Sequence, residues 1–439
     1  MKRFTILLGI ASFLFISDNI AAQDSISTAD LLKRIEKLEA EQKKPKEWDA
    51  SIYGWVRTEY SYDSRQNTYS REYNLNLYPL EEKLDANGND INAADASNFL
   101  GITTRVGIRF RGPDVWGAKA TGNIEGDFFG NTELNKSVGG TGAIGLFRLR
   151  HATATLAWPK TSVTFGQTWY PTFVPEVFPG VASFNTGILF NPFGWAGQIR
   201  VRQQIVPNLT FDLVAYKNRE FTTATAAGGF SNSATINSVT PTVHGQLQYK
   251  DPKIVAGIGA EYQSLKPVIE SNGLVSEEKL NSGMFFGYFK YTNPKIVAKA
   301  YGITGGNLHH LVMLGGFAGF TEANGQESYQ PVKTSAYWVD LASNNAKIAP
   351  GVFFGYTKNS GTESNYNNLY VRGASGTRIL DNIWRASARV DFKQNKFLIV
   401  PEVEYTSATW GDLKPDATAG DNQKTVGNVR VMARVQYSF

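Results

Sequence analysis

The end of the chain carries its most restrictive pattern. Val429, Val431, Ala433, Val435, Tyr437 and Phe439 fall on one face of an extended segment, and Arg430, Arg434, Gln436 and Ser438 on the other. Met432 is the single exception. A period of two is that of a β-strand. Apolar-out, polar-in alternation ending in an aromatic residue is the pattern of strands that cross a membrane in a closed barrel. A half-buried soluble sheet permits it too, so the argument rests on repetition.

The pattern recurs. Leu100, Ile102, Val106, Ile108 and Phe110 oppose Thr103, Arg105 and Arg109. Ala118, Ala120, Ile124 and Phe128 oppose Lys119, Thr121, Asn123, Glu125 and Asp127. Ile199, Val201 and Ile205 oppose Gln198, Arg200, Arg202 and Gln204. Trp384, Ala386, Ala388, Val390 and Phe392 oppose Arg385, Ser387, Arg389 and Asp391, and Ile399, Val403 and Tyr405 oppose Glu402 and Glu404. Residues 147–158 lose the alternation beyond Arg150, which predicts a bulge.

Turn chemistry sets the strand count. Short connectors centre on Gly112-Pro113-Asp114, Trp158-Pro159-Lys160, Val206-Pro207-Asn208, Asp251-Pro252-Lys253, Asn293-Pro294-Lys295 and Gln394-Asn395-Lys396, with a looser one from Asn344 to Pro350. Longer polar stretches alternate with them at 61–98, 129–144, 171–195, 218–240, 265–281, 305–330, 359–380 and 409–426. Seven short turns and eight long loops require sixteen antiparallel strands, enough to enclose an aqueous interior. The expected fold is therefore all-β, a 16-stranded antiparallel transmembrane β-barrel with a short N-terminal periplasmic coiled-coil helix.

The N-terminus supports that assignment. Lys2 and Arg3 precede an apolar run from Phe4 to Ile16, and Ala21 and Ala22 offer a cleavage point, so residues 1–22 read as a signal peptide. Residues 23–48 read as a periplasmic stalk and linker, and 49–439 as the barrel. Within the stalk, 28–44 looks helical. Thr28 and Asp30 are its start residues, Pro45 ends it, and Leu31, Ile35 and Leu38 form a coiled-coil seam. Fewer than three heptads are marginal alone, so the seam points to barrels already held together as a homo-oligomer, a trimer.

The chain has no cysteine, which excludes disulfides, thiolate metal sites and lipoprotein acylation. No mature segment offers 18 consecutive apolar residues, and a membrane protein without such helices must close a barrel. A net charge of +5 is too mild to argue for nucleic acid.

On the inward faces, arginines gather on strands 2, 4, 6, 14 and 16: Arg105, Arg109, Arg148, Arg150, Arg200, Arg202, Arg385, Arg389, Arg430 and Arg434. Closure places these strands in one continuous half of the wall. Such a half-wall concentrates anions. Glu125, Asp127, Glu402 and Glu404 dilute it. The third long loop, Pro171 to Gly180, is apolar and stiffened by three prolines. Its composition suits burial inside the barrel as a constriction, with Phe173, Glu176 and Phe178 at the passage and arginines of strands 2, 4 and 6 opposite.

Phe147-Arg148-Leu149-Arg150-His151-Ala152, then Phe165-Gly166-Gln167-Thr168-Trp169, then Gln198-Ile199-Arg200-Val201, resembles the DcaP-type family of outer-membrane porins. The order of signal peptide, short coiled coil, barrel and terminal Phe439 is similar as well. The resemblance implies a trimeric porin of the bacterial outer membrane that favours small anionic solutes such as dicarboxylates, with Arg148, Arg150 and Arg200 lining the pore. Its partners would be outer-membrane lipid and lipopolysaccharide, the solutes themselves, and the barrel assembly machinery, which reads Phe439 as a signal.

Two other classes compete. Large outer loops could serve a surface adhesin or receptor. A barrel-embedded hydrolase would need a nucleophile paired with one of His151, His244, His309 or His310, and no such pair stands out in the sequence. The stretch before the first strand, Ser51 to Tyr60, is too short for the plug of a TonB-coupled transporter. No enzyme activity, cofactor or metal is expected.

Overall fold

The computed structural model describes residues 27–43, 48–71, 73–130, 145–184, 186–219, 223–224 and 230–439. The signal-peptide reading therefore lies outside the described residues, as does most of the second long loop. The chain divides into two units, Met1–Glu47 and Trp48–Phe439.

In the first unit, helix α1 spans Thr28–Lys43. Its cap is Ser27, one residue earlier than the start residues read from the sequence. Ser27 Oγ accepts from the Asp30 N–H at 3.2 Å and donates to the Asp30 carboxylate at 3.0 Å. The Asp30 N–H also donates to the Ser27 carbonyl at 2.9 Å, so backbone and side chain of Ser27 both hold the start of the helix. Leu31 and Ile35 are about half exposed. The Leu38 side chain lies outside the described residues.

The second unit is a closed, antiparallel, sixteen-stranded barrel. Its strands are β1 (Asp49–Asp63), β2 (Ala96–Leu100 and Arg105–Arg111), β3 (Lys119–Gly130), β4 (Leu146–Ala157), β5 (Thr161–Trp169), β6 (Trp195–Val206), β7 (Leu209–Asn218) and β8 (Thr242–Lys250). There follow β9 (Ile254–Leu265), β10 (Leu280–Thr292), β11 (Ile296–Gly306), β12 (Glu327–Ser343), β13 (Ile348–Gly361), β14 (Arg378–Gln394), β15 (Phe397–Asp412) and β16 (Lys424–Ser438). Each pairs with its neighbours in sequence, and β1 pairs with β16 from Trp55↔Ser438 to Asp63↔Arg430, which removes both sheet edges.

The outward faces carry the apolar residues expected there. Val429, Val431, Val435 and Tyr437 are exposed, whereas Asn428, Arg430 and Met432 are buried inside, so the one exception in the alternation faces the interior. No described helix is long and apolar enough to cross a membrane.

Local chemistry explains the turns. Asp251, Asn293 and Asn345 repeat one device: a side-chain oxygen accepts two successive N–H groups, from Lys253 and Ile254, Lys295 and Ile296, and Lys347 and Ile348, at 2.7–3.1 Å. An Asx side chain mimics the backbone acceptor of a tight turn. Asn208 and Asn395 hold the left-handed conformation at the two tightest connections (φ 68° and 53°).

Two departures from regular pairing, in β2 and β4, change which side chains face the interior. Between Gly101 and Thr104 the β2 ladder breaks, and Trp55 Nε1 donates to the freed Thr103 carbonyl at 2.9 Å. The break rotates Ile102 inward, so it is 4% exposed, contrary to its outward place in the strict alternation. In β4 the register skips: Glu125 pairs with His151 and Gly126 with Leu149, leaving Arg150 as the extra residue. Arg150 and His151 are consequently both buried, which is the bulge that the lost alternation predicts.

Several strand ends at the long loops run further than the sequence suggests. β13 reaches Gly361, β14 starts at Arg378, and β15 extends to Asp412. Polar residues pair there as readily as apolar ones, so hydropathy does not mark where these strands stop.

Candidate functional site

The interior divides into two walls. Across β10, β11 and β12, Tyr288, Tyr301 and Trp338 are direct register partners whose rings lie nearly parallel. Tyr301 and Trp338 are 6.2 Å apart at 2°, and Tyr288 and Tyr301 are 6.4 Å apart at 11°. Phe286 and Phe353 extend the ladder. Gly257 and Gly259 on β9 make room for it, because a Cβ there would lie 2.3–2.4 Å from Tyr288 Oη and the Phe286 ring. The glycine content of that strand therefore has a packing cause.

Loop 3 (170–194) lies against this aromatic wall and crosses the interior. Tyr301 Oη donates to the Thr172 carbonyl at 2.9 Å, Lys299 Nζ to the Phe178 carbonyl at 2.8 Å, and Trp338 Nε1 to Asn191 Oδ1 at 3.1 Å. The Gly180 N–H donates to Asp340 of β12 at 3.2 Å, and on the far side the Ala182 N–H donates to Glu402 of β15 at 2.8 Å. Arg57 donates to the Ala182 carbonyl and Arg385 to the Ile188 carbonyl, both at 2.8 Å. Val177, Ile188, Leu189, Phe190 and Phe193 are fully buried. These apolar side chains cost free energy in water and gain it inside the barrel.

Two further loops fold inward, which composition does not reveal. In loop 1 (64–95), a hairpin pairs Asn67–Ser70 with Leu75–Pro79 and buries Leu75, Asn76 and Leu77. Arg385 donates to the Asn76 and Leu77 carbonyls at 3.2 and 3.1 Å. In loop 6 (307–326), Leu308 to Leu311 form one buried turn, and the Leu311 carbonyl accepts from the Phe193 N–H at 3.0 Å. One apolar cluster unites the three loops with the aromatic wall.

The opposite wall, β1 to β6, is charged. Arg105, Arg148 and Arg150 converge on Glu125 and Asp127: Arg105 Nε to Glu125 at 3.4 Å, Arg148 Nε to Asp127 at 2.7 Å, and Arg150 to Glu125 and Asp127 at 2.7 and 3.1 Å. Arg57 pairs with Glu59 beside them. Four guanidiniums thus meet three carboxylates. Aromatic rings hold the cations flat: Arg148 and Arg150 lie 4.3 and 4.6 Å from the Trp195 ring, and Arg105 lies 4.0 Å from Trp55. Phe184 of loop 3 enters this cluster, 5.6–5.8 Å from Arg57, Arg105 and Arg150.

The other arginines of the sequence reading fall into two groups. Arg385, Arg389 and Arg430 are buried beneath the loops, with Arg389 paired to Asp340 at 2.8 Å and Arg430 3.6 Å from Asp63. Arg109, Arg200, Arg202 and Arg434 retain exposure to the interior. Arg202 holds Asp212 through two bonds of 2.7 Å, and Arg200 stands 3.9 Å from the same carboxylate. Of the loop 3 residues, Phe173 stacks on Trp169 at 4.1 Å and on Phe178 at 5.7 Å. Glu176 pairs with Lys250 of β8 at 3.0 Å. The Phe439 N–H donates to the Gly54 carbonyl at 3.0 Å.

Glu261 of β9 is a site that sequence reasoning missed. It accepts from Tyr216 Oη at 2.6 Å, and His244 Nδ1 lies 3.2 Å and His310 Nε2 3.8 Å from it. The four residues come from β7, β8, β9 and loop 6, so no linear motif joins them. Among the described residues no group of three or more His, Cys, Asp or Glu could hold a metal ion.

At the short-turn end, a cavity of about 580 Å³ opens on the charged wall beside Tyr53, Arg109, Asn123, His151 and Trp169.

No protein-family model and no curated protein matches the sequence. The barrel is nevertheless similar to solved structures. The outer membrane channel DcaP of Acinetobacter baumannii superposes with a TM-score of 0.63 at 17% identity, over 90% of this chain and 99% of that one. An anion-selective porin from Comamonas acidovorans gives 0.52 at 14% identity, over 90% and 100%. OmpT of Vibrio cholerae gives 0.51 at 11% identity, over 90% and 99%. The fold is that of outer-membrane porins and channels, and the resemblance to DcaP-type porins read from three short motifs extends to the architecture of the barrel.

Proposed function

We propose that this protein is an outer-membrane porin for passive diffusion of small hydrophilic solutes, preferentially anionic and dicarboxylate-like. The observation that carries the reading is the charged wall: Arg57, Arg105, Arg148 and Arg150 against Glu59, Glu125 and Asp127, with Arg200 and Arg202 sharing Asp212 as their ion-pair partner among the described residues. An excess of fixed cations in a low-dielectric shell raises the local concentration of anions.

Loop 3 narrows the passage. It leans on the aromatic wall and leaves solutes the arginine side. Arg148, Arg200, Arg202 and Arg109 meet the solute; Arg385, Arg389 and Arg430 hold the inward loops in place. Phe173, Glu176 and Phe178 border the constriction.

The barrel sits in the bacterial outer membrane, its apolar belt against lipid and lipopolysaccharide and its short turns in the periplasm. The assembly machinery recognises the strand that ends in Phe439. Leu31, Ile35 and Leu38 pair α1 with two copies, so the stalk reinforces a trimer.

The test is a variant in which Arg148, Arg200 and Arg202 become glutamine. In liposome swelling, wild-type protein is expected to admit glutarate faster than a neutral solute of equal size, and the variant to lose that preference while still admitting the neutral solute. Equal preference in both proteins would overturn the reading.

A further inference from the structure

The cavity at the short-turn end has a chemistry of its own. It is framed by the inward faces of β1 to β5 and, at about 580 Å³, falls within the range of small-ligand sites, roughly 300–1,000 Å³. Its cationic side is Arg109 and Arg111. Neither makes an ion pair among the described residues; Arg109 rests on the Tyr53 ring at 4.0 Å. These guanidiniums differ from Arg105, Arg148 and Arg150, which are already committed to Glu125 and Asp127.

The rest of the wall is hydroxylic. Ser51, Thr121 and Thr153 line the cavity, and their hydroxyls make no hydrogen bond to protein among the described residues. Thr155 is bonded to Thr164 at 2.8 Å. Two carboxylates bound the space: Asp49, register partner of Arg111, and Glu125, which accepts from Tyr53 Oη at 3.0 Å.

We propose that this cavity is a subsite for a monoanionic sugar acid, an aldonate or uronate. The carboxylate takes the free fork of Arg109, which suits planar bidentate recognition. The ligand's hydroxyls pair with Ser51, Thr121 and Thr153, each of which both donates and accepts. A plain dicarboxylate is disfavoured here on two counts. Its methylenes displace water from the hydroxyl wall without replacing the lost hydrogen bonds. Its second carboxylate meets Asp49 or Glu125. The subsite rests on the porin reading and sharpens it: the passage sorts anions by their hydroxyls as well as by their charge.

The experiment is single-channel recording in planar bilayers, with potassium gluconate or potassium glutarate added on the short-turn side over a constant potassium chloride background. Gluconate is expected to interrupt the current with residence times at least roughly tenfold longer than those of glutarate. Ser51→Ala with Thr153→Val should remove the gluconate interruptions while leaving chloride conductance intact, which shows that the barrel has folded. Arg109→Gln should remove them as well. Equal interruption by the two anions, or gluconate interruptions that survive the double substitution, would overturn the subsite and leave the porin reading standing. Absence of any channel in potassium chloride would overturn the porin reading and the subsite with it.

Discussion

The Ala182 N–H donates to Glu402 Oε2 at 2.8 Å, and this bond joins the middle of loop 3 to the wall 220 residues further along the chain. Both groups are buried. Arg57 and Arg434 approach the Ala182 carbonyl from β1 and β16, so one residue is held through both its N–H and its C=O. Replacing Glu402 by leucine leaves the Ala182 N–H buried without an acceptor, which costs about 1–3 kcal/mol. Loop 3 should then leave its seat, and single-channel conductance should rise and become noisier. Glutamine at 402 keeps an acceptor oxygen and should restore the quiet state.

Trp338 anchors the same loop from the opposite wall, by stacking on Tyr301 and donating to Asn191. It is fully buried. Trp338→Ala should cost about 3–5 kcal/mol, read as a lower urea midpoint for unfolding from lipid vesicles. An unchanged midpoint would mean that the aromatic ladder is not a core.

The outward face gives the opposite sensitivity. Ile258, in the middle of β9, is 66% exposed on the barrel surface. Ile258→Arg should destabilise by about 2–4 kcal/mol in vesicles, the cost of a cation at the bilayer midplane. In a soluble barrel the same change would be close to neutral.

Loop 1 carries a pH-dependent turn. The Asp85 carboxylate accepts from the Asn89 N–H and side-chain amide and from the Asn87 N–H, and these bonds hold it below the ordinary carboxylate range. A carboxyl whose folded pKa lies below its unfolded one contributes stability above the unfolded value, near 3.9 for aspartate, and loses it as pH falls through the folded value. Amide exchange at Asn87 and Asn89 should be slower in wild-type protein than in Asp85→Ala at neutral pH, and the difference should vanish in strong acid.

The fold was legible because its rules are local. Period-two alternation shows which side of each strand meets lipid, and Asx-Pro-Lys segments mark turns through contacts within four residues. The β4 bulge left its trace as lost alternation after Arg150. The contents of the barrel were only partly legible. Three prolines and an apolar run betrayed loop 3. Loop 1 buries Asn76 and Leu77 from a polar stretch, because Arg385, more than 300 residues away, donates to their carbonyls. The grouping of Glu261 with Tyr216, His244 and His310 likewise depends on register and loop placement, which composition does not encode. Inward-facing arginines were identifiable as a class, but which of them loops would cover depended on those same long-range contacts.

The central claim, a hollow barrel whose passage favours anions, is tested most directly by the zero-current potential of the wild-type protein in a planar bilayer under a potassium chloride gradient. The account predicts open channels with a potential displaced towards the chloride equilibrium value. A potential displaced towards potassium, or a membrane that never conducts, would contradict it.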